Sequence, residues 1–380
     1  MKLSKGFLLL LWGEIMKNTF GSSVSLTIFG ESHGKAIGAV LDGLAPGIKI
    51  DEDYIAMKMS QRRAYGKIST ARHEEDKVEI LSGVYNGFTT GTPIALVIQN
   101  ADMHSKDYSA TRSLARPGHA DFTSYCKYHG FEDFRGGGHF SGRITAPVVA
   151  AGAIMLDALK NKGIYIGTHI KKCAGVSDRN FEDIKNDLVA LDGKVFSVLD
   201  ENKEIEMKSA IEKVAENKDS VGGILETAVY GLPEGVGEPW FDSLESVISH
   251  ALFGMPAVKG IEFGKGFEFA DMTGSKANDP FVYENGKIST LTNNNGGING
   301  GISNGMSIVF RTVIKPTPSI FQKQNTVDFI NNSNAEIELR GRHDPCIVHR
   351  AAVVQDSLSA LVIADMLALR FGTDFLGSDK

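Results

Sequence analysis

Cysteine is scarce in this 380-residue chain: Cys126, Cys173 and Cys346 are odd in number and far apart. They form no CxxC pair and no disulfide framework, which is the usage of a reducing compartment. Neither sign of charge dominates, with a formal net charge of -6 and a pI near 6.0, so a broad nucleic-acid footprint is excluded. Dinucleotide and NTP signatures are missing: there is no G-x-G-x-x-G and no G-x-x-x-x-G-K-[ST]. No HExxH occurs, and His119, His129 and His139 stand at intervals that fit no metal-ligand spacing. No G-x-S-x-G elbow is expected to support a hydrolase. No stretch reaches the roughly 20 uncharged apolar residues of a membrane span. Lys2 and Lys5 ahead of Phe7–Trp12 imitate a signal peptide, but the apolar core is short and no small-x-small site follows. Residues 1–15 are therefore read as an extension ahead of a start at Met16. Proline is low at 11 and glycine high at 42, so turns should be shaped by glycine.

What is present concentrates between Arg112 and Arg143. That stretch gathers Arg112, Arg116, Arg135 and Arg143 with three histidines and the run Gly136-Gly137-Gly138, and holds little aliphatic core material. Guanidiniums bind carboxylates and phosphates as a fork, and glycine lets backbone approach a ligand closely. The segment is either a solvated loop or an anion pocket with imidazoles placed for proton transfer. Because the cationic density is local, the pocket suits a small anion better than a polymer.

The remaining chain supplies a core for it. Alternation over Ser22–Phe29 predicts a strand ending in the Ser32-His33 turn. Asp51 predicts a capped helix through Arg63, with Gln61-Arg62-Arg63 at its end and Gly66-Lys67 beyond; cations there also suit the helix dipole. Val78–Leu81 and Ile94–Gln99 read as strands. Thr145 with Pro147 predicts a capped, buried helix to Lys162. Residues 177–220 turn charged and read as a peripheral insertion with an exposed helix over Lys208–Lys218. Strands are expected over Ile224–Tyr230, Ile261–Phe263 and Met306–Ile314, with a helix over Ser243–Phe253. The glycine- and asparagine-rich Thr290–Gly305 is a flexible loop or a backbone cradle. Lys315-Pro316-Thr317-Pro318-Ser319 is a rigid turn, and Asp344 before Pro345 is an N-cap candidate for a long apolar helix to about Phe371.

Taken together, the motifs resemble the chorismate synthases, from Met16 nearly to the C-terminus. They stand as Gly30-Glu31-Ser32-His33-Gly34 with Asp42-Gly43, Gln61-Arg62-Arg63, Arg116-Pro117-Gly118-His119-Ala120-Asp121, and Gly136-Gly137-Gly138-His139-Phe140-Ser141-Gly142-Arg143. Gly296-Gly297-Ile298-Asn299-Gly300-Gly301, Lys315–Ser319 and Gly341-Arg342-His343-Asp344-Pro345-Cys346 complete them. Seven in the right order make the resemblance specific. It implies an α+β fold, a β-α-β sandwich with helices between antiparallel sheets, as one large domain over 16–380. It implies conversion of 5-enolpyruvylshikimate 3-phosphate to chorismate with loss of phosphate and a proton, the last step of the shikimate pathway. Reduced FMN is required without net redox. A cytoplasmic homotetramer goes with the resemblance, as does NADP; lacking a nicotinamide motif, the chain points to an external flavin reductase. Neither nucleic acid nor membrane is an expected partner.

By motif match, His33 would protonate the leaving phosphate and His119 the reduced flavin, while Asp344 assists proton removal and Ser32 and Ser141 support the relay. Arg62, Arg63, Lys67, Arg116, Arg143 and Arg342 would hold the substrate's two carboxylates and phosphate. His139, Phe140, Ser141, Pro256, Ala257, Gly300, Lys315, Pro316, Thr317, Pro318, Ser319 and Arg342 would line the flavin. Departures from the family pattern are His139 where many members have Arg, a short Arg62–Lys67 loop, and Asp356 for a usual Glu, which is expected to matter little. Another flavin-binding oxidoreductase and a non-enzymatic flavin or anion binder remain the rival classes.

Overall fold

The computed structural model describes residues 18–64, 66–69, 76–100, 112–284, 286–339 and 343–377. The expected extension at 1–15 and the candidate ligand Arg342 lie outside them.

Two five-stranded antiparallel sheets carry the fold. The first joins β1 (Thr19–Phe20), β2 (Ser25–Gly30), β3 (Ala36–Asp42), β4 (Val78–Ile80) and β5 (Ile94–Gln99) in the order β1-β2-β3-β5-β4. The second joins β6 (Tyr165–Cys173), β7 (Val176–Ser177), β8 (Gly223–Tyr230), β9 (Val258–Phe263) and β10 (Ile308–Ile314) in the order β9-β10-β8-β6-β7. A separate hairpin pairs β11 (Gln324–Asp328) with β12 (Ser333–Ile337).

Helix α1 (Glu52–Arg62) begins where expected, since Asp51 accepts from the Tyr54 N–H at 2.9 Å. It ends in Arg62, delivering that side chain to the site. Next come α2 (Asp121–Tyr128), α3 (Thr145–Asn161), α4 (Ile184–Leu191), α5 (Glu201–Glu216), α6 (Leu244–Phe253) and α7 (Val348–Phe371). Helix α3 packs on β2, β3 and β5, α7 packs on β6 and β8, and the two helices pack on each other. Their closest approach is fixed by Gly152, where a methyl would stand 2.2 Å from Ser357 Cβ. By length and composition the segments Gly142–Asn161 and Val348–Phe371 could cross a membrane, but 83% and 89% of their most apolar 18-residue stretches is buried within the protein.

Three local expectations are corrected. Thr145 does not cap α3; it is the first helical residue, and its hydroxyl donates to the Gly142 carbonyl at 2.6 Å. Asp344 does not cap α7 either, because the helix starts at Val348 and Asp344 instead meets Arg350. The Lys208–Lys218 helix is the end of the longer α5, started by Asp200 and anchored by buried Met207 and Ile211. The charged 177–220 segment also reaches inward. Asp178 holds His169 Nδ1 at 2.8 Å while Glu226 holds Nε2 at 2.9 Å, with the imidazole fully buried between them. Burial works to raise the Asp178 and Glu226 carboxyls, but His169 and their other donors outweigh it, and both lie below their ordinary values.

Candidate active site

Strand β2 ends at Gly30, and the turn that follows places Ser32 and His33 beneath the glycine run. Both side chains are buried. Ser32 Oγ lies 3.1 Å from His33 Nδ1 and donates to the Arg135 carbonyl at 3.2 Å, while the Ser32 N–H donates to the Gly138 carbonyl. Gly136 has φ +60, and a methyl on it would stand 2.2 Å from His33 Cε1. A methyl on Gly137 would stand 3.1 Å from His119 Cε1 and 3.2 Å from Nε2. Two imidazoles 86 positions apart in sequence thus face consecutive glycines (119 less 33). Asp133 braces this turn by taking both Arg135 Nε and Nη2, at 2.8 and 2.7 Å.

His119 comes from a turn tethered to β11: Ala115 N–H donates to the Val327 carbonyl at 3.2 Å, and Thr326 Oγ1 donates to the Ala115 carbonyl. Lys315 Nζ donates to the Gly118 carbonyl, bringing the Lys315–Ser319 turn beside His119. Within that turn the Thr317 hydroxyl is buried without a hydrogen-bond partner among the described residues, and Ser220 Oγ donates to the Thr317 carbonyl at 2.7 Å. Ala257 accepts from the Lys315 N–H at 2.9 Å, so Pro256-Ala257 adjoins it, with Ala257 in the left-handed region at φ +76. Gly300 turns a hairpin at φ +61, with open space where a side chain would be. Gly301–Gly305 does spell G-x-S-x-G, against expectation. Ser303 is nevertheless buried in a hairpin strand, donating to the Pro233 carbonyl and accepting from Val236, not raised on a strand-to-helix elbow.

The arginines divide into two groups. Arg62 and Arg143 are buried and share one carboxylate: Arg62 Nη2 meets Asp76 Oδ2 at 2.8 Å, and Arg143 Nη1 meets Asp76 Oδ1. Arg143 Nε also donates to Asn100 Oδ1 at 3.1 Å. Burial works to raise the Asp76 carboxyl, yet the two guanidiniums prevail and hold it below the ordinary carboxylate range. Arg116 is occupied by Asp121, with Nε to Oδ2 at 2.8 Å and Nη2 to Oδ1 at 2.6 Å. Arg63 ends α1 half-buried, and Lys67 is exposed on the one-turn helix after it.

Asp344 lies close by. Arg350 Nη1 donates to Asp344 Oδ2 at 2.8 Å, while its Nε donates to the Arg62 carbonyl at 2.7 Å, linking the start of α7 to the end of α1. His349 Nε2 stands 2.8 Å from Ser69 Oγ and fastens the segment after Lys67 to the same helical turn. His139 serves a local purpose: its ring bridges the Gly30 carbonyl at 2.7 Å and Asn18 Oδ1 at 3.2 Å. Phe140 is 40% exposed beside Tyr128, and Ser141 Oγ accepts from the Arg143 N–H at 3.3 Å.

Sequence reasoning missed Asp76, Asn100, Arg350 and any role for Asp121. Asp121 lay inside a quoted motif, so its spacing from His119 was an available signal. Asp76 sits in a run of charges, His73-Glu74-Glu75-Asp76-Lys77, that nothing in the sequence distinguishes from a solvated face.

The chain can now be set beside known proteins. A family model described as chorismate synthase matches residues 24–368. Among curated relatives, a "Chorismate synthase" of Dehalococcoides mccartyi is 45% identical over 94% of this chain and 98% of its own length. One of Archaeoglobus fulgidus is 45% identical over 93% and 98%, and one of Thermococcus gammatolerans 44% over 92% and 97%. A solved structure described as "Crystal Structure of Chorismate Synthase" superposes with a TM-score of 0.73 at 29% identity, covering 93% of this chain and 94% of that one. A match of this extent across both sheets, both core helices and the His33 and His119 turns identifies the chain as a member of the chorismate synthase family.

Proposed function

We propose that this chain is a carbon–oxygen lyase that converts 5-enolpyruvylshikimate 3-phosphate to chorismate, releasing phosphate and a proton, with reduced FMN as cofactor. The observation that carries the proposal is the pairing of His33 and His119 across Gly136 and Gly137, with Arg116 against His119 and the Arg62–Asp76–Arg143 cluster tied through Asn100 to the Glu31 and Gly34 carbonyls beside His33. Such a site has imidazoles for moving protons and guanidiniums for carboxylates and phosphate, and no group suited to hydride transfer by itself.

The residues fit a flavin on one structural ground: among the described residues the Thr317 hydroxyl is buried without a partner, in a turn next to the His119 loop. His139, Phe140, Ser141, Pro256, Ala257, Gly300 and Lys315–Ser319, with Arg342, would hold it. Its electron-rich reduced ring supplies charge to the departing phosphate and an acceptor for a hydrogen whose carbon acid is too weak for a protein base alone. His33, positioned by Ser32, protonates the leaving phosphate at its bridging oxygen. His119 holds the proton that keeps the cofactor in its working charge state. Asp344, oriented by Arg350, assists removal of the ring proton. Arg62, Arg63, Lys67, Arg116, Arg143 and Arg342 fix the tri-anionic substrate. We read the two sheets with α3 and α7 between them as a β-α-β sandwich forming one domain, with 177–220 peripheral to it. The working form is a cytoplasmic homotetramer served by an external reductase.

The test is anaerobic assay of phosphate release from the enolpyruvyl substrate with dithionite-reduced FMN. His119→Ala should lower turnover by about 10²–10⁴; an unchanged rate removes His119 from the mechanism. Absence of phosphate release by the unaltered protein would leave a flavin or anion binder in its place.

A further inference from the structure

We propose that Asp121 is the positioning residue that fixes the protonation of His119, holding its Nδ1–H so that Nε2 is the atom that exchanges protons. This rests on the reading of His119 as a proton donor and assigns a role to the last residue of the Arg116–Asp121 motif.

Asp121 opens α2, so its carboxylate is set by the start of a helix and not by a mobile chain. Its oxygens are crowded with donors. Oδ2 accepts from the Arg116 N–H at 2.9 Å and from Nε at 2.8 Å, while Oδ1 accepts from Arg116 Nη2 at 2.6 Å and lies 2.9 Å from His119 Nδ1. An ionised carboxylate is an acceptor only, so a ring nitrogen at that distance is stabilised when it carries hydrogen. Arg116 Nη2 also lies 3.1 Å from Nδ1 and pulls the other way, because a guanidinium only donates. The carboxylate prevails: Nη2 already donates to Oδ1 at the shorter distance, and a charge-assisted N–H···O⁻ bond is the stronger arrangement. Burial works against the charge on Asp121, but its bonds to Arg116 and His119 outweigh that and hold the carboxyl far below its ordinary value. It therefore stays an acceptor throughout the working range of pH.

The far side of the ring matches this assignment. Nε2 faces Gly137, where the missing side chain leaves space beside the turn shared with His33. Proton accounting is simple: the imidazolium gives up its Nε2 proton and becomes the neutral Nδ1–H form, and Asp121 takes none. A carboxylate behind a working imidazole both sets the tautomer and stabilises the cation.

The experiment is nitrogen NMR on [15N]histidine-labelled full-length protein above neutral pH, with His119 assigned by difference against His119→Gln. The Nδ1–H tautomer should predominate, and Asp121→Asn, whose amide can donate to Nδ1, should move the population toward Nε2–H. With it, kcat for phosphate release should fall about 10²-fold, beyond any rise in KM that comes from loosening Arg116. A predominant Nε2–H form in the unaltered protein overturns the proposal, as does an Asp121→Asn variant with unchanged tautomer and rate. If that variant does not fold, the spectrum of the unaltered protein decides alone. If the unaltered protein releases no phosphate, the functional reading fails, while the tautomer still reports on Asp121.

Discussion

Replacing Asp76 by Asn isolates what one buried carboxylate does for two guanidiniums. The Asp76 side chain is 1% exposed, and its oxygens are divided between Arg62 and Arg143, themselves 3% and 5% exposed in their side chains. Asn keeps the shape and tolerates the left-handed backbone found here at φ +48, so strain should not change. What changes is charge: one amide oxygen can still accept, but the amide nitrogen now faces a guanidinium. Breaking a buried pair from one side costs about 3–5 kcal/mol. Because Arg143 keeps Asn100 and Arg62 keeps contact with the Gly142 carbonyl, the lower end applies, about 3 kcal/mol. Against a total of roughly 5–15 kcal/mol this is a large fraction, and with a slope near 3 kcal/mol/M the urea midpoint should drop by about 1 M. Far-ultraviolet circular dichroism in urea at pH 7 measures it. The sign with pH is also fixed. A carboxyl whose folded pKa is depressed adds stability above its unfolded value near 4. That stability is lost as pH falls through the folded value, so the gap between the two proteins should close in acid. Phosphate release should weaken chiefly through KM, since the guanidiniums proposed to hold the substrate lose their anchor. A midpoint shift below about 0.3 M, or a gap that persists in acid, would refute the argument that Asp76 is an ionised clamp.

Gly136→Ala should cost about 1 kcal/mol for a left-handed alanine. It should lower kcat at least about 10-fold, because its methyl would lie 2.2 Å from the His33 ring and displace it; full activity in a phosphate-release assay would show that His33 is not held there for catalysis. Asp356, expected to matter little, is fully enclosed on α7 and pushed up to about 7 by burial, against the opposing pull of Lys58 and Thr168. A raised carboxyl contributes stability that is complete below its unfolded value near 4 and lost as pH rises through about 7. Asp356→Asn should therefore flatten the stability curve over that interval, and parallel curves by thermal denaturation would contradict it.

Much of the fold was legible because its elements announce themselves locally. Asp51 capped α1, alternation marked β2, and the apolar continuity of α3 and α7 marked central helices. Failures fell at ends, where a local rule competes with a distant partner. Asp344 obeys the cap pattern, yet it is drawn to Arg350 six residues on, and Thr145 gives its hydroxyl backward to Gly142. Asp76 was invisible for a deeper reason: a carboxylate among charges looks solvated until two arginines, 14 and 67 positions away, close over it.

The sequence alone determined which chemistry is available: guanidiniums, imidazoles and glycine turns in an order that resembles one family. Only tertiary structure decided which of those groups meet. Gly136 and Gly137 bring His33 and His119 to one turn, Asp121 anchors Arg116, and Asp76 anchors both Arg62 and Arg143. Composition and spacing record what a side chain is able to bind. Partner choice among buried charges is settled by distance and by the cost of leaving any of them unpaired, and those quantities exist only once the sheets and helices have closed.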